Sequence, residues 1–280
     1  MTEHSHPPLE RHCDVAVIGG SAAGLAAALQ LGRQRRSVIV IDSETPRNAP
    51  AAHMHGYLGR EAVAPSELIA DGREEVRSYG GEVLTARTER VTRDNDRLRV
   101  DLVGGHVIIA RRVLAATGLT DVLPDIEGLA QHWGTDVIHC PFCHGYEVRD
   151  QRIAQIVTHP LGLHPAGLFR QLSAQHTLVL HGGVEVDESE LDLLRAGGVT
   201  VVRGQVRRVV TADTGRISGL EFSDGQRLEA DAIVVGPRFT ARVEPFAALG
   251  LRTAAHLSGL GDIVEIDANG MTEVPGLYAA

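Results

Sequence analysis

The sequence predicts an α/β protein made of two tandem doubly wound modules, each with a small antiparallel β-meander. Two observations in the 280 residues support this fold class. In each half, a short β-branched apolar strand, a turn, a helical stretch and a second apolar strand follow one another, as in the βαβ unit of a parallel sheet. Each unit is followed by alternating segments separated by turn residues, which is typical of a meander.

The first half contains these elements in order. "CDVAVIGG", from Cys13, predicts a buried strand, "SAAGLAAALQLGRQRR" a helix and "SVIVID" a second strand. A helical stretch near residues 65–79 precedes the meander segments "RLRVDLV" and "HVIIA", and "VLAATG" closes the half. Residues 15–32 carry no charge, but glycines interrupt them, so a strand, a turn and a buried helix explain them better than a membrane span.

The second half repeats the order without a residue-level repeat. "RIAQIV" predicts a strand, "GLHPAGLFRQLS" a helix, and "HTLVLH" and "VTVVRG" two more strands. "RISGLEF" and "QRLEADAIVVG" predict the second meander and a closing strand. We therefore expect a flexible leader over residues 1–12, a discontinuous first domain over 13–122 and 244–280, and a second domain over 123–243.

Composition narrows the possible partners. Apolar residues make up 43% and charged residues 22%, enough to bury a sizeable core. The net charge of −9 argues against nucleic acid and anionic membranes, so small molecules or proteins are the expected partners. The start of the chain lacks a secretory signal, and two of the three cysteines form a CxxC. This pattern indicates redox chemistry in a reducing cytosol.

The first glycine turn has the features of a dinucleotide site. "GGSAAG", residues 19–24, follows a strand and opens a helix, and Asp42 ends the next strand. Glycines let the backbone approach a pyrophosphate at the helix N-terminus, and the acid binds a ribose hydroxyl. Ser21 replaces the middle glycine of GxGxxG, which leaves a tight structural turn as the alternative.

The equivalent turn of the second half predicts poor binding of a pyrophosphate. It reads "THPLGL", residues 158–163, where Pro160 lacks an N–H and His159 and Leu161 add bulk. The following strand end, "LHGGVEVDES", is acidic and has no arginine for a 2′-phosphate. NAD(P)H binding is therefore doubtful, and this half is expected to serve at least as a scaffold.

The motif "CPFCHG", residues 140–145, is the candidate redox centre. A CxxC brings two sulfurs close enough for a reducible disulfide, and the thiolate of one cysteine is the nucleophile. The alternative is half of a zinc site, but no second Cys or His pair is spaced for it, and His53 and His55 lie far away in sequence. We therefore predict no metal.

Four motifs carry a family resemblance over nearly the whole chain. "GGSAAG", "ATG" at 116–118, "WGTDVIHCPFCHG" at 133–145 and "VPGLYAA" at 274–280 resemble the low-molecular-weight thioredoxin reductases. The chain more closely resembles their relatives, the FAD-dependent dithiol oxidases that close disulfides in natural products such as gliotoxin and holomycin. The resemblance implies a thioredoxin reductase-like fold of two Rossmann-like modules, a homodimer, and FAD in the first module.

The resemblance also implies roles for individual residues. Cys143 would face the flavin and Cys140 would exchange with substrate. His144 stands where the reductases carry an acid that acts as general acid and base, and His139 is a second candidate. The implied FAD-binding residues are Gly19, Gly20, Ser21, Ala22, Ala23, Gly24, Asp42, Asn48, Thr117 and Gly118.

The sequence departs from the family at its last motif. There the family continues into a Gly-Asp pair that binds FAD, whereas this sequence stops at Ala280. Either the sequence is a shortened one or the FAD site is incomplete, and we expect the former. The second departure is the degenerate nicotinamide loop.

Three functions follow from these observations. The leading hypothesis is an FAD enzyme that oxidises a dithiol through Cys140 and Cys143 and passes the electrons to molecular oxygen. The alternatives are an NADPH-dependent thioredoxin reductase with an unusual nucleotide loop, and a non-catalytic flavin- or redox-sensing protein. The sequence does not distinguish a natural-product dithiol from a protein dithiol.

Overall fold

The chain forms two compact units. The computed structural model describes residues 9–280. Of the described residues, the first unit comprises 9–49, 64–120 and 239–280, and the second comprises 50–63 and 121–238. The predicted domain limits at 122/123 and 243/244 lie a few residues from these divisions. Residues 50–63 correct the prediction, because they pack with the second unit although they were expected in the first.

The elements follow one another in chain order. The elements up to residue 122 are β1 (Glu10–Ile18), α1 (Ala22–Arg33), β2 (Val38–Asp42), α2 (Pro65–Ser78), β3 (Glu82–Thr85), β4 (Thr88–Asp94), β5 (Arg97–Leu102), β6 (Val107–Ala115) and β7 (Leu119–Val122). Those that follow, as far as the last strand of the second unit, are β8 (Val137–Ile138), α3 (Pro141–His144), β9 (Ile153–Val157), α4 (Ala166–Leu172), β10 (His176–Leu180), α5 (Glu188–Ala196), β11 (Thr200–Arg203), β12 (Val206–Thr211), β13 (Ile217–Phe222), β14 (Arg227–Glu229) and β15 (Ala232–Val235). The last are β16 (Arg238–Ala241), β17 (Ala254–Ala255), β18 (Asp262–Ile263) and β19 (Leu277–Ala279).

The first unit is built on a seven-stranded sheet in the order β3-β2-β1-β6-β5-β4, with β19 also paired to β6. β3, β2, β1, β6 and β19 are parallel, as the βαβ pattern predicts. The apolar residues of β2 are buried, and α1 turns the small residues Gly24, Ala28 and Gly32 inward. Small side chains on that face allow the helix to pack closely against its neighbours, so its first turn is held at the edge of the sheet.

The first meander shares a strand with the parallel sheet, which differs from the prediction. "HVIIA" and "VLAATG" were expected to be separate strands, but β6 runs unbroken through Arg111 and Arg112, which are both exposed. Its first half pairs antiparallel with β5, while its whole length is parallel to β1. A charged pair in an apolar run therefore marks an accessible stretch of this strand, not its end.

The same pairing corrects the predicted leader. Glu10 lies opposite Val107, so residues 10–12 belong to β1 instead of a flexible segment. Arg11 also forms an ion pair with Glu82. Residues 1–8 of the predicted leader lie outside the described residues.

The second unit repeats the plan with a five-stranded parallel sheet in the order β11-β10-β9-β15-β8. Every residue of β9 is buried, as expected for a strand covered on both faces. β12, β13 and β14 form a separate antiparallel meander, of which β13 and β14 were predicted and β12 was not. Helix α5 was not predicted, because its acidic start was interpreted only as the end of a strand. Across residues 9–280, no helix is both long enough and apolar enough to span a bilayer.

Candidate active site

The glycine turn lies between β1 and α1 at the carboxyl edge of the first sheet. Gly19 has a φ of +109°, and a Cβ there would lie 2.1 Å from the backbone oxygen of Ala116. A Cβ at Gly24 would lie 1.9 Å from the backbone oxygen of Gly19. Only glycine fits at either position. The turn is therefore closed tightly beneath the first turn of α1, where Ala22 and Ala23 are exposed.

The start of α1 suits a diphosphate group. The first N–H groups of a helix have no partner within the helix. Ser21 is the N-cap residue, but its side chain makes no capping hydrogen bond, and the first turn contains no acidic residue. The donors therefore face an accessible surface without a competing anion, which is the arrangement that binds phosphate at helix N-termini. Side chains and backbone here fit the diphosphate of FAD.

Asp42 lies beside the same turn. It ends β2, and a Cβ at Gly20 would lie 2.7 Å from the Cβ of Asp42. Its Oδ1 accepts a hydrogen bond from the backbone N–H of Glu44 at 3.2 Å, and its Oδ2 accepts one from Nη2 of Arg73 at 2.5 Å. Each carboxylate oxygen has a further lone pair, so Asp42 can still accept a ribose hydroxyl. Arg73 was not foreseen, since it lies on α2 with no local motif.

The other predicted FAD-binding residues have different settings. Ile18 and Ala115 are paired across β1 and β6, which puts Thr117 at the sheet edge where the glycine turn begins. The hydroxyl of Thr117 donates to the backbone oxygen of Arg242 at 2.7 Å, and Gly118 has a φ of +70°. Asn48 lies in an exposed turn closed by a hydrogen bond from Ala49 to Pro46. The structure thus brings the glycine turn, Asp42 and Thr117 to one edge.

The two cysteines of the CxxC lie together in the second unit. Cys140 is the N-cap residue of α3 and Cys143 lies within it, so one helical turn brings their Sγ atoms to 2.7 Å. Neither is in a disulfide; Cys140 is half-buried and Cys143 is exposed. A disulfide between them requires only a small movement. The third cysteine, Cys13, is buried, and burial raises its pKa to about 12, so it is chemically inert by comparison.

His144 directly follows Cys143 and is half-buried. Burial lowers the pKa of its imidazole; the charge of Glu147 acts in the opposite direction, and that of His55 lowers the pKa further. His144 is therefore neutral near pH 7 and can accept a proton from a thiol. His139, the second predicted base, is exposed and precedes Cys140 outside α3.

Sequence reasoning did not place His55 at this centre. Its Nδ1 lies 2.6 Å from Oε1 of Glu61, and its Nε2 lies 3.4 Å from Oε1 of Glu147. Only folding could reveal this, because His55 and Cys140 are 85 positions apart in the sequence. The motif "HMHG", residues 53–56, was the one available signal, and by itself it does not point to the redox centre. Within residues 9–280, no group of three or more His, Cys, Asp or Glu side chains is arranged to hold a metal.

The nucleotide loop of the second unit satisfies its own N–H groups. Residues 160–163 form a short 3-10 helix. The N–H of Leu161 donates to Nδ1 of His159 at 3.3 Å, that of Gly162 to the backbone oxygen of His159 at 2.8 Å, and that of His164 to the backbone oxygen of Leu161 at 3.2 Å. Pro160 and Pro165 have no N–H to offer. This turn lacks the open donors found at the start of α1.

A cavity of about 620 Å³ lies beyond the carboxyl ends of β10 and β11, lined in part by Gly182, Gly183 and Arg203. The strand end that follows β10 has no arginine, as its sequence shows, but Arg203 lines the cavity from the end of the neighbouring strand. Its Nη2, however, lies 2.8 Å from Oε2 of Glu188. The arginine is thus already paired with a carboxylate.

Two βαβ units, one with open phosphate-binding donors and one with a CxxC, define an oxidoreductase of the two-module Rossmann type. The profile of the pyridine nucleotide-disulphide oxidoreductase family matches residues 13–280. The chain belongs to this family and is an FAD-binding oxidoreductase of the thioredoxin reductase type. The resemblance recognised from the motifs is confirmed.

Individual relatives agree with this family. The chain is 30% identical to the thioredoxin reductase sirT of Leptosphaeria maculans over 95% of this chain and 85% of that protein. It is 29% identical to the thioredoxin reductase tcpT of Claviceps purpurea, with the same coverage. Among solved structures, HlmI is 42% identical with a TM-score of 0.85, over 95% of this chain and 83% of that one. An oxidoreductase from Agrobacterium tumefaciens is 32% identical with a TM-score of 0.86, over 96% of this chain and 89% of that one.

Proposed function

We propose that the enzyme oxidises a dithiol to a disulfide through Cys140 and Cys143, with molecular oxygen as the final electron acceptor. The observation that carries the choice of acceptor is the loop at 158–164. Its N–H groups donate within the loop, Pro160 lies in it and Pro165 directly follows it, so it offers few groups for the diphosphate of a nicotinamide cofactor. Electrons therefore enter from the thiol side.

The dithiol step uses only groups of the second unit. A substrate thiolate attacks Sγ of Cys140 in the oxidised pair, which forms a mixed disulfide and releases Cys143 as a thiolate. The second substrate thiolate then attacks the substrate sulfur of that mixed disulfide, which releases Cys140 and the product disulfide. His144 accepts a proton from an attacking thiol. FAD, when bound, supplies the two-electron acceptor that restores the enzyme disulfide, and oxygen takes the electron pair on as hydrogen peroxide.

The assignment of Cys140 to substrate and Cys143 to the flavin remains a prediction. The glycine turn, Asp42 and Thr117 would hold the diphosphate and ribose of FAD, and Asn48 and Gly118 are weaker candidates for contacts with the cofactor. His139 is the reserve candidate for the base, since it adjoins Cys140.

A second candidate is an NADPH-dependent thioredoxin reductase. The cavity beside Gly182 and Gly183 supports it, because a dinucleotide binds beyond the carboxyl ends of parallel strands and Arg203 could meet a phosphate there. The ion pair between Arg203 and Glu188 opposes it, since the arginine would have to leave that carboxylate. A non-catalytic redox sensor, the third hypothesis, predicts no turnover with any thiol.

The test is turnover of a small dithiol in air. We expect dithiothreitol to be oxidised with one hydrogen peroxide formed for each disulfide, and both Cys140→Ser and Cys143→Ser to lose turnover. Cys140→Ser leaves Cys143 as a thiolate, for which a long-wavelength charge-transfer band with oxidised flavin is expected. Full activity in either serine variant would remove the pair from the mechanism.

Two further features belong to the same proposal. The family resemblance supports a homodimer, and a CxxC in a chain of only three cysteines supports a reducing cytosol. Light scattering of the purified FAD-loaded protein tests the first, since a mass of one chain would contradict it. Fractionation of the producing cells tests the second.

A further inference from the structure

The segment 50–63 reaches the redox centre from a distant part of the sequence. It closes on itself through hydrogen bonds from the N–H of Met54 to the oxygen of Val63 at 2.9 Å and from the N–H of Ala62 to the oxygen of Met54 at 3.0 Å. Pro50 packs against Gly134, where a Cβ would lie 2.6 Å from the proline Cβ. The loop is thus anchored to the polypeptide that leads into the CxxC.

His55 occupies a fixed place in this loop. Oε1 of Glu61 lies 2.6 Å from Nδ1 of His55, and Oε2 of Glu61 accepts the N–H of Gly56 at 2.9 Å. These hydrogen bonds lower the pKa of Glu61, so its carboxylate is ionised and holds a proton on Nδ1 of His55. The tautomer is thereby set, and Nε2 faces the Oε1 of Glu147 at 3.4 Å.

The groups around His55 differ in exposure. The side chain of His55 is 19% exposed, that of Glu147 33% and that of Glu61 63%. Glu147 follows His144 by three residues, and its charge acts on that imidazole. Glu147, His55 and Glu61 therefore form a series of contacts that starts three residues after His144 and ends at the most exposed of the three side chains, Glu61.

Dithiol oxidation creates a need for such a connection. Two substrate thiols lose two protons when the substrate disulfide forms, and Cys143 and Cys140 leave in turn as thiolates. His144 holds one proton only. The second thiol can be deprotonated by the same imidazole only after the first proton has moved on.

We propose that His55 is a positioning residue of the dithiol step, which holds Glu147 beside His144 and, with Glu147 and Glu61, carries away the proton that His144 has accepted. This inference rests on the proposed dithiol chemistry of Cys140 and Cys143. In each transfer, a proton leaves one imidazole or carboxyl group and joins the next, and no electrons move. The last acceptor is water at Glu61.

Several titratable groups share this neighbourhood and bear on its pH dependence. The ring of His53 lies 6.4 Å from that of His55, measured between centroids. Glu61 and Glu147 face His55 directly, and the charge of Asp136 reaches His144. Cys140 and Cys143 complete the set on α3. His53 offers a matched control, because it is a histidine of the same loop that lies outside the proposed sequence of proton transfers.

The experiment is anaerobic stopped-flow reduction of the FAD-loaded enzyme by dithiothreitol over a range of pH. We expect His55→Gln to slow flavin reduction about tenfold near neutral pH and to change the shape of the pH profile, because glutamine cannot carry a proton. His55→Ala should regain part of the rate with added imidazole. His53→Gln should match the wild type in both measurements.

The outcomes separate the two proposals. A wild-type enzyme that dithiothreitol does not reduce refutes the dithiol chemistry itself. A wild type that is reduced, together with a His55→Gln enzyme that keeps its rate and pH profile, refutes the role of His55 alone. A uniform loss of rate at every pH without imidazole rescue also refutes it, since that result indicates a purely structural contribution from the loop. Flavin content and melting temperature of each variant show that it is folded.

Discussion

The two strand-to-helix turns of the molecule, residues 18–24 and 158–164, stand in equivalent positions of equivalent βαβ units but differ in their N–H donors. In the first, Gly19 and Gly24 allow close backbone approach, and the start of α1 has no side-chain cap. In the second, His159 caps the turn and Pro160 removes a donor. The difference shows that one architecture can keep or lose a phosphate site without changing its sheet.

The same contrast explains how an enzyme of this family could change its electron acceptor. The parallel sheet of the second unit still carries α3 and the CxxC, so losing its nucleotide turn leaves the redox pair in place. Scaffold and cofactor site are separable because strand burial depends on side chains inside the sheet, whereas diphosphate binding depends on a few backbone N–H groups at its edge.

The largest expected effect concerns nicotinamide cofactors. We expect NADPH and NADH to reduce the flavin on the order of a thousandfold more slowly than a small dithiol does, because the turn at 158–164 lacks open donors. Anaerobic stopped-flow absorbance of the flavin measures both reactions. Rapid bleaching by either nicotinamide at micromolar concentration, without peroxide from dithiol and air, would show that the two turns are functionally alike.

The next effect compares one substitution in both turns. Gly24→Ala should weaken FAD binding on the order of a hundredfold, because its Cβ would lie 1.9 Å from the oxygen of Gly19. Gly162→Ala is the matched change, with its nearest neighbour, Cγ1 of Val157, at 3.1 Å, and it should leave FAD content unchanged. Flavin absorbance per protein, with circular dichroism as the control for folding, decides between them. Full flavin content in Gly24→Ala would contradict the assignment of the first turn.

A smaller effect is expected in the acid stability of the second unit. His176 at the start of β10 is buried without a hydrogen-bond partner for either ring nitrogen, and burial lowers its pKa to about 4. The unfolded chain therefore takes up a proton near its ordinary pKa of 6.5 while the folded chain does not. Above pH 6.5 the charge state of His176 does not lower the free energy of unfolding. As the pH falls from 6.5 towards 4, that free energy decreases, because only the unfolded chain binds the proton.

Between pH 6.5 and about pH 5, the free energy of unfolding should fall by about 1.5 kcal/mol on account of His176. Urea denaturation of the wild type and of His176→Leu at both pH values measures this contribution, since leucine does not titrate. An equal acid loss in both proteins would exclude His176 as its source.

The smallest effect concerns Asp42. Asp42→Asn keeps an acceptor for the ribose but loses the charge that pairs with Arg73, so FAD affinity should fall about fivefold. Titration of the apoprotein with FAD measures it, and Glu44→Gln is the control, because Arg73 also contacts that exposed carboxylate. If only Glu44→Gln weakens binding, the ribose-binding role belongs elsewhere.

Local pattern was sufficient for much of this molecule. β1, β2, β9 and β10 appear as runs of β-branched and apolar residues because buried parallel strands require them, and GGSAAG signals its turn because only glycine tolerates the geometry at Gly19. CPFCHG brings its two sulfurs together through one helical turn, a spacing fixed by local geometry. These features depend on residues close in sequence.

Other features depended on contacts that no short window contains. β6 continues through Arg111 and Arg112 because β1 pairs along its whole length, and Arg203 reaches the cavity of the second unit from a neighbouring strand. His55 lies near the CxxC because residues 50–63 pack with the second unit. The sequence by itself determined the two βαβ units, the glycine turn and the redox pair; the tertiary structure decided which distant side chains surround them, because packing and hydrogen bonds between remote segments are settled only when the chain is folded.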